Sequence, residues 1–325
     1  MNYAHVLYEP SPAGCAQVLL SWVTGLRLAR LESRVIPGVS AMNARRGMQG
    51  AIEVVMMLLS VLQANAVVLD IDANLKTVDA AAQRAAAAGA SLLLTPELFP
   101  VGYAPLRLHS ELDPATLPSI RGRLADIART RGIGLVYSLP APAADGGWHI
   151  SATLLDAQGT VLLDYDKVHL FGEEERKAFS AAQAAPGVVD FNGIKTSLLI
   201  CYDVEFPESV RAAATRGAEL LLVPTALSAG FDAVPQVLIR ARAMESQLNV
   251  AYANHSGHED GCDFLGGSVV AGPDGSLLAA AGEGAALLFA EISTESVRAA
   301  REQVPYLRER RPSLYREWED SAPQG

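Results

Sequence analysis

Ser91-Leu92-Leu93-Leu94-Thr95, followed at once by Pro96-Glu97-Leu98-Phe99, reads as a buried strand that ends on a carboxylate. A short apolar run bounded by turn-forming residues is the pattern of a strand covered on both faces. Two later stretches repeat it. Leu162-Leu163-Asp164-Tyr165-Asp166 runs into Lys167, and Ser197-Leu198-Leu199-Ile200 runs into Cys201-Tyr202-Asp203. Functional groups in open α/β sheets gather outside the carboxyl ends of the strands, so Glu97, Lys167 and Cys201 are candidates for one shared site.

The same rhythm extends in both directions. Leu58–Gln63 reads as a strand and Asn74–Ala88 as an Ala-rich helix that Gly89 ends. Helices are predicted at Ile120–Arg131, Pro207–Arg216 and Val234–Gln247. Strands are predicted at Ile133–Ser138, Ile150–Leu155, Val161–Lys167, Thr196–Ile200, Glu219–Val223, Asn249–Asn254, Gly267–Ala271 and Ser276–Ala280. Many short apolar strands with intervening helices predict a layered α/β domain.

Composition narrows the partners. Half of the 325 residues are apolar, 6% are aromatic and 19% charged, the profile of a globular protein with an ample core. A net charge of −10 argues against nucleic acid and against an anionic membrane, leaving a small molecule as the expected partner. The cysteines Cys15, Cys201 and Cys262 are odd in number and far apart, so a reduced, cytoplasmic compartment is expected. The apolar run 54–62 is far shorter than the roughly 20 residues of a membrane span. The stretch 15–28 has its arginines after the apolar part, unlike a signal peptide.

Residues 1–55 stand apart. They carry five Arg against three Glu, whereas the remainder carries 21 basic against 33 acidic residues. The expectation is an extension upstream of the true start, which would be Met56 or Met57, with residues 56–325 as the catalytic domain.

A thiol, a carboxylate and an ammonium suit attack on an amide or nitrile carbon. The carboxylate takes the thiol proton and later activates water, while the ammonium stabilises developing negative charge. Taken singly, each residue has a plainer reading. Cys201 is then a small core hydrophobe, Glu97 the start of a loop or a helix cap, and Lys167 a surface charge. The combination carries the weight.

The segments around these residues resemble the nitrilase, or carbon–nitrogen hydrolase, superfamily. They are Leu94-Thr95-Pro96-Glu97-Leu98-Phe99-Pro100-Val101-Gly102-Tyr103, Tyr165-Asp166-Lys167-Val168-His169-Leu170-Phe171 and Leu199-Ile200-Cys201-Tyr202-Asp203-Val204-Glu205-Phe206-Pro207-Glu208. Arg240-Ala241-Arg242-Ala243-Met244-Glu245 and Gly266-Gly267-Ser268 agree as well, and the likeness spans roughly residues 58–315. The resemblance implies a four-layer αββα sandwich that pairs with a second subunit, Arg311-Pro312-Ser313-Leu314-Tyr315 forming a tail across the dimer. It implies that Glu97 is the general base, Lys167 the stabiliser of the tetrahedral intermediate and Cys201 the acylated nucleophile, with the Tyr202 backbone N–H in the oxyanion hole. A second Glu follows the Lys in this family. Glu175 matches best, with Glu173 and Glu174 as competitors. No metal and no cofactor is needed.

Nitrilases proper carry Trp-Glu after the nucleophile, whereas this chain has Tyr202-Asp203, which looks like the amidase branch. The expected reaction is hydrolysis of a small amide to carboxylic acid and ammonia, with N-carbamoyl compounds or nitriles as alternatives. Tyr103, His169, Phe171, Thr225, Ala226 and Phe231, just beyond the site strands, are candidate pocket residues. Two readings from other classes compete. His255, His258, Glu259, Asp260, Cys262 and Asp263 crowd one segment as a metal-binding module would, and a silent homologue would serve as a scaffold.

Overall fold

The computed structural model describes residues 54–321, so the expected extension lies, up to residue 53, outside the described residues. β1 (Met56–Gln63) comes first. Asp70 then caps α1 (Ile71–Ala87) by accepting from the Ala73 N–H, and this cap starts the helix earlier than its apolar period predicts. The order continues β2 (Leu92–Leu94), α2 (Pro105–Glu111), α3 (Leu117–Arg131), β3 (Gly134–Pro142), β4 (Trp148–Leu155), β5 (Val161–Asp166) and α4 (Gly172–Ala178). The second half runs β6 (Val188–Phe191), β7 (Ile194–Leu198), α5 (Pro207–Thr215) and β8 (Leu220–Pro224). A π-helical turn, Val234–Leu238, leads into α6 (Ile239–Ser246), where one uninterrupted helix is predicted. Then come β9 (Asn249–Ala253), β10 (Ser256–Glu259), β11 (Cys262–Leu265), β12 (Val269–Ala271), β13 (Leu277–Ala280) and β14 (Ala286–Ser293). Three helices close the described chain: α7 (Thr294–Gln303), α8 (Tyr306–Glu309) and α9 (Pro312–Asp320).

Among the described residues the strands form two six-stranded sheets and one small hairpin. The orders are β14-β1-β2-β3-β4-β5 and β13-β12-β9-β8-β7-β6, with β10 paired to β11. Each large sheet has a parallel centre, β1-β2-β3 in one and β7-β8-β9 in the other, flanked by antiparallel strands. Parallel neighbours need crossover connections, which the helices between them supply. Leu92, Leu93 and Leu94 and the whole of β8 are buried, as strands between two covered faces must be.

Helices α1 and α3 pack on the first sheet and α6 on the second, while the sheets contact each other through β1 with β9 and β3 with β8. The architecture is therefore the expected four-layer αββα sandwich. Among the described residues no helix is long and apolar enough to cross a membrane.

Between the sheets, the buried Phe191 ring of β6 lies against Gly134 of β3, and a Cβ there would meet the ring at 2.6 Å. Gly134→Val should therefore overpack the interface and cost about 1–3 kcal/mol of stability, read as a lower urea midpoint. An unchanged midpoint would show that the sheets are not held this closely.

Candidate active site

Three strand exits converge. Thr95 holds the end of β2 to β3 by donating both its N–H (3.1 Å) and its hydroxyl (2.9 Å) to the Val136 carbonyl. Glu97 then crosses to the second sheet, its N–H donating to the Thr225 carbonyl at 3.2 Å. Lys167 directly follows β5, its N–H donating to the Ile150 carbonyl at 2.8 Å. Cys201 opens a short 3-10 turn, Cys201–Glu205, with φ of 45°, a left-handed conformation that side chains adopt only under restraint.

The restraint is visible at both ends of that turn. Buried Asp203 accepts from the Tyr165 hydroxyl (2.9 Å) and the Ile200 N–H (3.4 Å) through Oδ2, and from the His169 N–H (2.8 Å) through Oδ1. The His169 ring also lies 2.8 Å from Oδ1 and stacks on Phe206 at 3.8 Å. At the other end Arg242 of α6 donates to the carbonyls of Val204 (3.0 Å) and Glu205 (2.5 Å), putting a cation where the turn's carbonyl dipoles point.

At the centre the Lys167 ammonium donates to Glu97 Oε1 at 2.8 Å and to Glu175 Oε1 at 2.7 Å, with all three side chains out of reach of solvent. Glu175 is held further by the Tyr103 hydroxyl (2.6 Å) and by the Phe171 N–H, which donates to Oε2 at 2.7 Å. The other Glu97 oxygen, Oε2, is buried without a hydrogen-bond partner.

Burial pushes the Glu97 carboxyl up to about 7 even though Lys167 opposes the rise, and the charge on Glu175 adds to it. Burial, and then the negative charge of Glu97, holds the Cys201 thiol well above its ordinary range; Lys167 and the Ala226 N–H pull the other way. Burial disfavours the Lys167 charge, but Glu97 and Glu175 more than restore it and keep the ammonium protonated. The resting arrangement is thus a neutral thiol beside a carboxyl that titrates near neutrality and a fixed cation. Such a set can move a proton from sulfur to oxygen as the sulfur attacks an electrophile, and can neutralise charge that develops beside it.

The three residues named from strand ends are brought together, and Glu175 joins them, whereas Glu173 is exposed and bonded to Lys177 and Glu174 is exposed. Thr225 is buried and Ala226 half-buried, with the Ala226 N–H facing the Cys201 sulfur. Phe171 stands edge-on to Tyr202 (5.3 Å) and to Phe231 (5.9 Å), and Tyr202 edge-on to Phe206 (4.9 Å). The acidic and histidine-rich segment divides: His255 and Glu259 are buried together, His258 pairs with Asp263 on the surface, and Asp260 pairs with Arg107. Among the described residues no three His, Cys, Asp or Glu side chains are grouped to hold a metal ion. Sequence reasoning gave no role to Tyr165 or Asp203, and offered His255 and Glu259 only as metal ligands. Asp203 lies two residues past Cys201, but its partners Tyr165 and His169 are more than thirty residues away in the chain.

Comparison with known proteins shows the family. The profile of the carbon-nitrogen hydrolase family matches residues 58–302. A protein of Pseudomonas protegens named "Hydrolase in pqqF 5'region" is 41% identical over 248 residues, covering 76% of this chain and 86% of its own length. The 2-oxoglutaramate amidase of Bacillus subtilis is 31% identical, covering 70% of this chain and 87% of its own length. A mutant of the amidase from Nesterenkonia sp. AN1 superposes with a TM-score of 0.75 at 45% identity, covering 81% of this chain and 96% of that one. Its structure shows covalent addition of the acetamide moiety of fluoroacetamide at the active site cysteine.

The raised Glu97 carboxyl carries a stability signature. Between 4.5, its ordinary value, and about 7, the unfolded chain has lost the Glu97 proton and the folded chain has kept it, so stability falls as pH rises through that window. Glu97→Gln removes this dependence, and its Tm relative to the unsubstituted protein should climb across the window in calorimetry. A difference that stays flat with pH would count against a raised Glu97.

Proposed function

The chain belongs to the carbon–nitrogen hydrolase family and is an amidase-type enzyme of the nitrilase superfamily, and from that premise we propose that it hydrolyses short, uncharged primary amides through a thioester on Cys201. The observation that carries the proposal is the buried Glu97–Lys167–Glu175 chain beside the thiol, with Glu97 Oε2 left without a partner. Oε2 takes the thiol proton as sulfur attacks the amide carbon. Lys167 and the Tyr202 backbone N–H stabilise the oxyanion, and Glu97 returns the proton to the departing nitrogen. Ammonia leaves and a thioester remains. Water, deprotonated by Glu97, then releases the carboxylic acid and regenerates the thiol. Glu175 keeps Lys167 charged and in place throughout.

The substrate class rests on the aromatic wall of Phe171, Tyr202 and Phe231 next to the nucleophile, which suits a short apolar acyl chain. Lys167 is already engaged by two carboxylates and is a poor receptor for a substrate carboxylate. The acetamide adduct of the Nesterenkonia amidase supports a small acyl group. Tyr103, His169, Thr225 and Ala226 complete the pocket in this reading. The same proposal takes residues 56–325 as the catalytic unit, a homodimer as the working form, and a reducing, cytoplasmic setting as the one a catalytic thiol needs.

Ammonia release from a panel of amides, N-carbamoyl compounds and nitriles tests it. Short aliphatic amides should lead, and Cys201→Ala should lower their turnover by about 10⁴-fold or more. For the preferred amide, kcat/KM should rise with pH through about 7 as Glu97 ionises. Preference for N-carbamoyl substrates or nitriles would overturn the substrate class, and activity surviving Cys201→Ala would overturn the mechanism.

A further inference from the structure

His255 and Glu259 take no step in that reaction, yet both are buried in the middle of the molecule. His255 follows β9 and is bridged to Ala64 at the end of β1. Its Nε2 lies 2.6 Å from the backbone oxygen of Glu97, and its Nδ1 lies 2.6 Å from Oε1 of Glu259. A backbone carbonyl only accepts, so Nε2 carries a hydrogen. Glu259 already accepts backbone N–H bonds on both oxygens, Oε1 from Ala66 at 2.8 Å and Oε2 from Tyr103 at 3.2 Å, the pattern of an ionised carboxylate. Nδ1 therefore carries a hydrogen as well, and the ring is an imidazolium. Burial opposes that charge, and Glu259 together with Glu97 overcomes it, holding His255 above its ordinary range.

Phe99, Tyr103 and Phe264 surround the ring, with centroids at 5.6, 6.5 and 4.9 Å, and keep water from it. The other ionisable groups of the β10–β11 hairpin are committed elsewhere or lie off the ring: His258 pairs with Asp263, Asp260 with Arg107, and the Cys262 thiol is pushed up by burial and by Glu259.

We propose that His255 and Glu259 are a charged positioning pair for the catalytic base. The imidazolium grips the peptide of Glu97. Glu259 ties that grip to the backbone of Tyr103, whose hydroxyl holds Glu175. One buried ion pair thereby places both carboxylates that flank Lys167. The grip falls where it is needed, because Leu98, the next residue, has a left-handed φ of 52° that an untethered leucine would abandon. The inference rests on Glu97 being the base.

The experiment uses the full chain with His255→Gln, Glu259→Gln and, as reference, Glu97→Gln. Steady-state hydrolysis of butyramide and inactivation of Cys201 by iodoacetamide are followed against pH. His255→Gln keeps an amide donor for the Glu97 carbonyl but no charge. It should slow kcat about tenfold with KM changed less than about twofold, since a displaced base costs turnover more than binding. Glu259→Gln should leave His255 neutral. His255→Gln should move the acid limb of kcat/KM and of alkylation to higher pH by about half a unit, because a cation that favours ionised Glu97 is gone while the Glu259 anion stays; Glu259→Gln, which removes both charges, should move it in the same direction by less, the imidazole being the nearer group. In the unsubstituted protein, nitrogen NMR should find both ring nitrogens of His255 protonated at neutral pH, where a free imidazole has lost one proton.

One protonated ring nitrogen at neutral pH, or variants that lose Tm without any shift of the limb, would overturn the inference and leave a structural brace. If Glu97→Gln alkylates and turns over normally, it is the assignment of the base that fails. If Glu97→Gln is slow and the two other variants behave like the unsubstituted protein, only the positioning role fails.

Discussion

A fully buried ammonium is tolerated only when opposite charge meets it at hydrogen-bonding distance, and Lys167 meets two carboxylates, Glu97 and Glu175. Each member of this trio comes from a different part of the chain: the exit of β2, the exit of β5 and the first turn of α4. Their approach fixes the gap between these segments more tightly than apolar packing does, because a displaced partner leaves a bare charge in a dry site. Glu175 adds a local role by reaching back to the Phe171 amide, the residue before α4, where the free N–H groups of a helix start favour an anion. Chemistry and architecture therefore share one interaction.

The two sheets make the convergence possible. Parallel strands deliver their carboxyl ends to the same side, so β2 and β7 present Glu97 and Cys201 from opposite sheets across one gap. The antiparallel meander β3-β4-β5 turns the chain so that Lys167 arrives at that gap as well. Long side-chain contacts then stitch the ends together: Asp203 to Tyr165, Arg242 to the Cys201 turn, and Glu259 to Ala66 and Tyr103.

What the sequence made legible follows from which forces act locally. The buried parallel strands and the helices with a clear apolar period were readable, and the residues at strand exits came with them. Gly89 marked a helix end through its backbone freedom. β14 was not readable, since Leu287, Leu288 and Phe289 follow one another without a polar residue between them, and its identity as a strand comes from pairing along the whole of β1 from Met56↔Ser293 to Gln63↔Ala286. Helix α4 was hidden in what looks like a solvated acidic run, although one of its three glutamates is a buried partner of Lys167. Glu259 stood out only as one of a crowded, metal-like group with His255, because the backbone amides it also binds are more than a hundred and fifty residues away in the chain. Local propensity cannot report a charge whose partner is supplied by tertiary folding.

The left-handed backbone at Cys201 and Leu98 has an evolutionary side. Both residues sit where glycine would rest without strain, and one of them bears the thiol. Selection for heat resistance alone would therefore favour replacing Cys201, and neutralising the buried Glu97, the two groups of the proposed mechanism, before touching most of the core. The hardiest descendants of this chain would be inert ones, and keeping the enzyme requires a selection that scores turnover and endurance together.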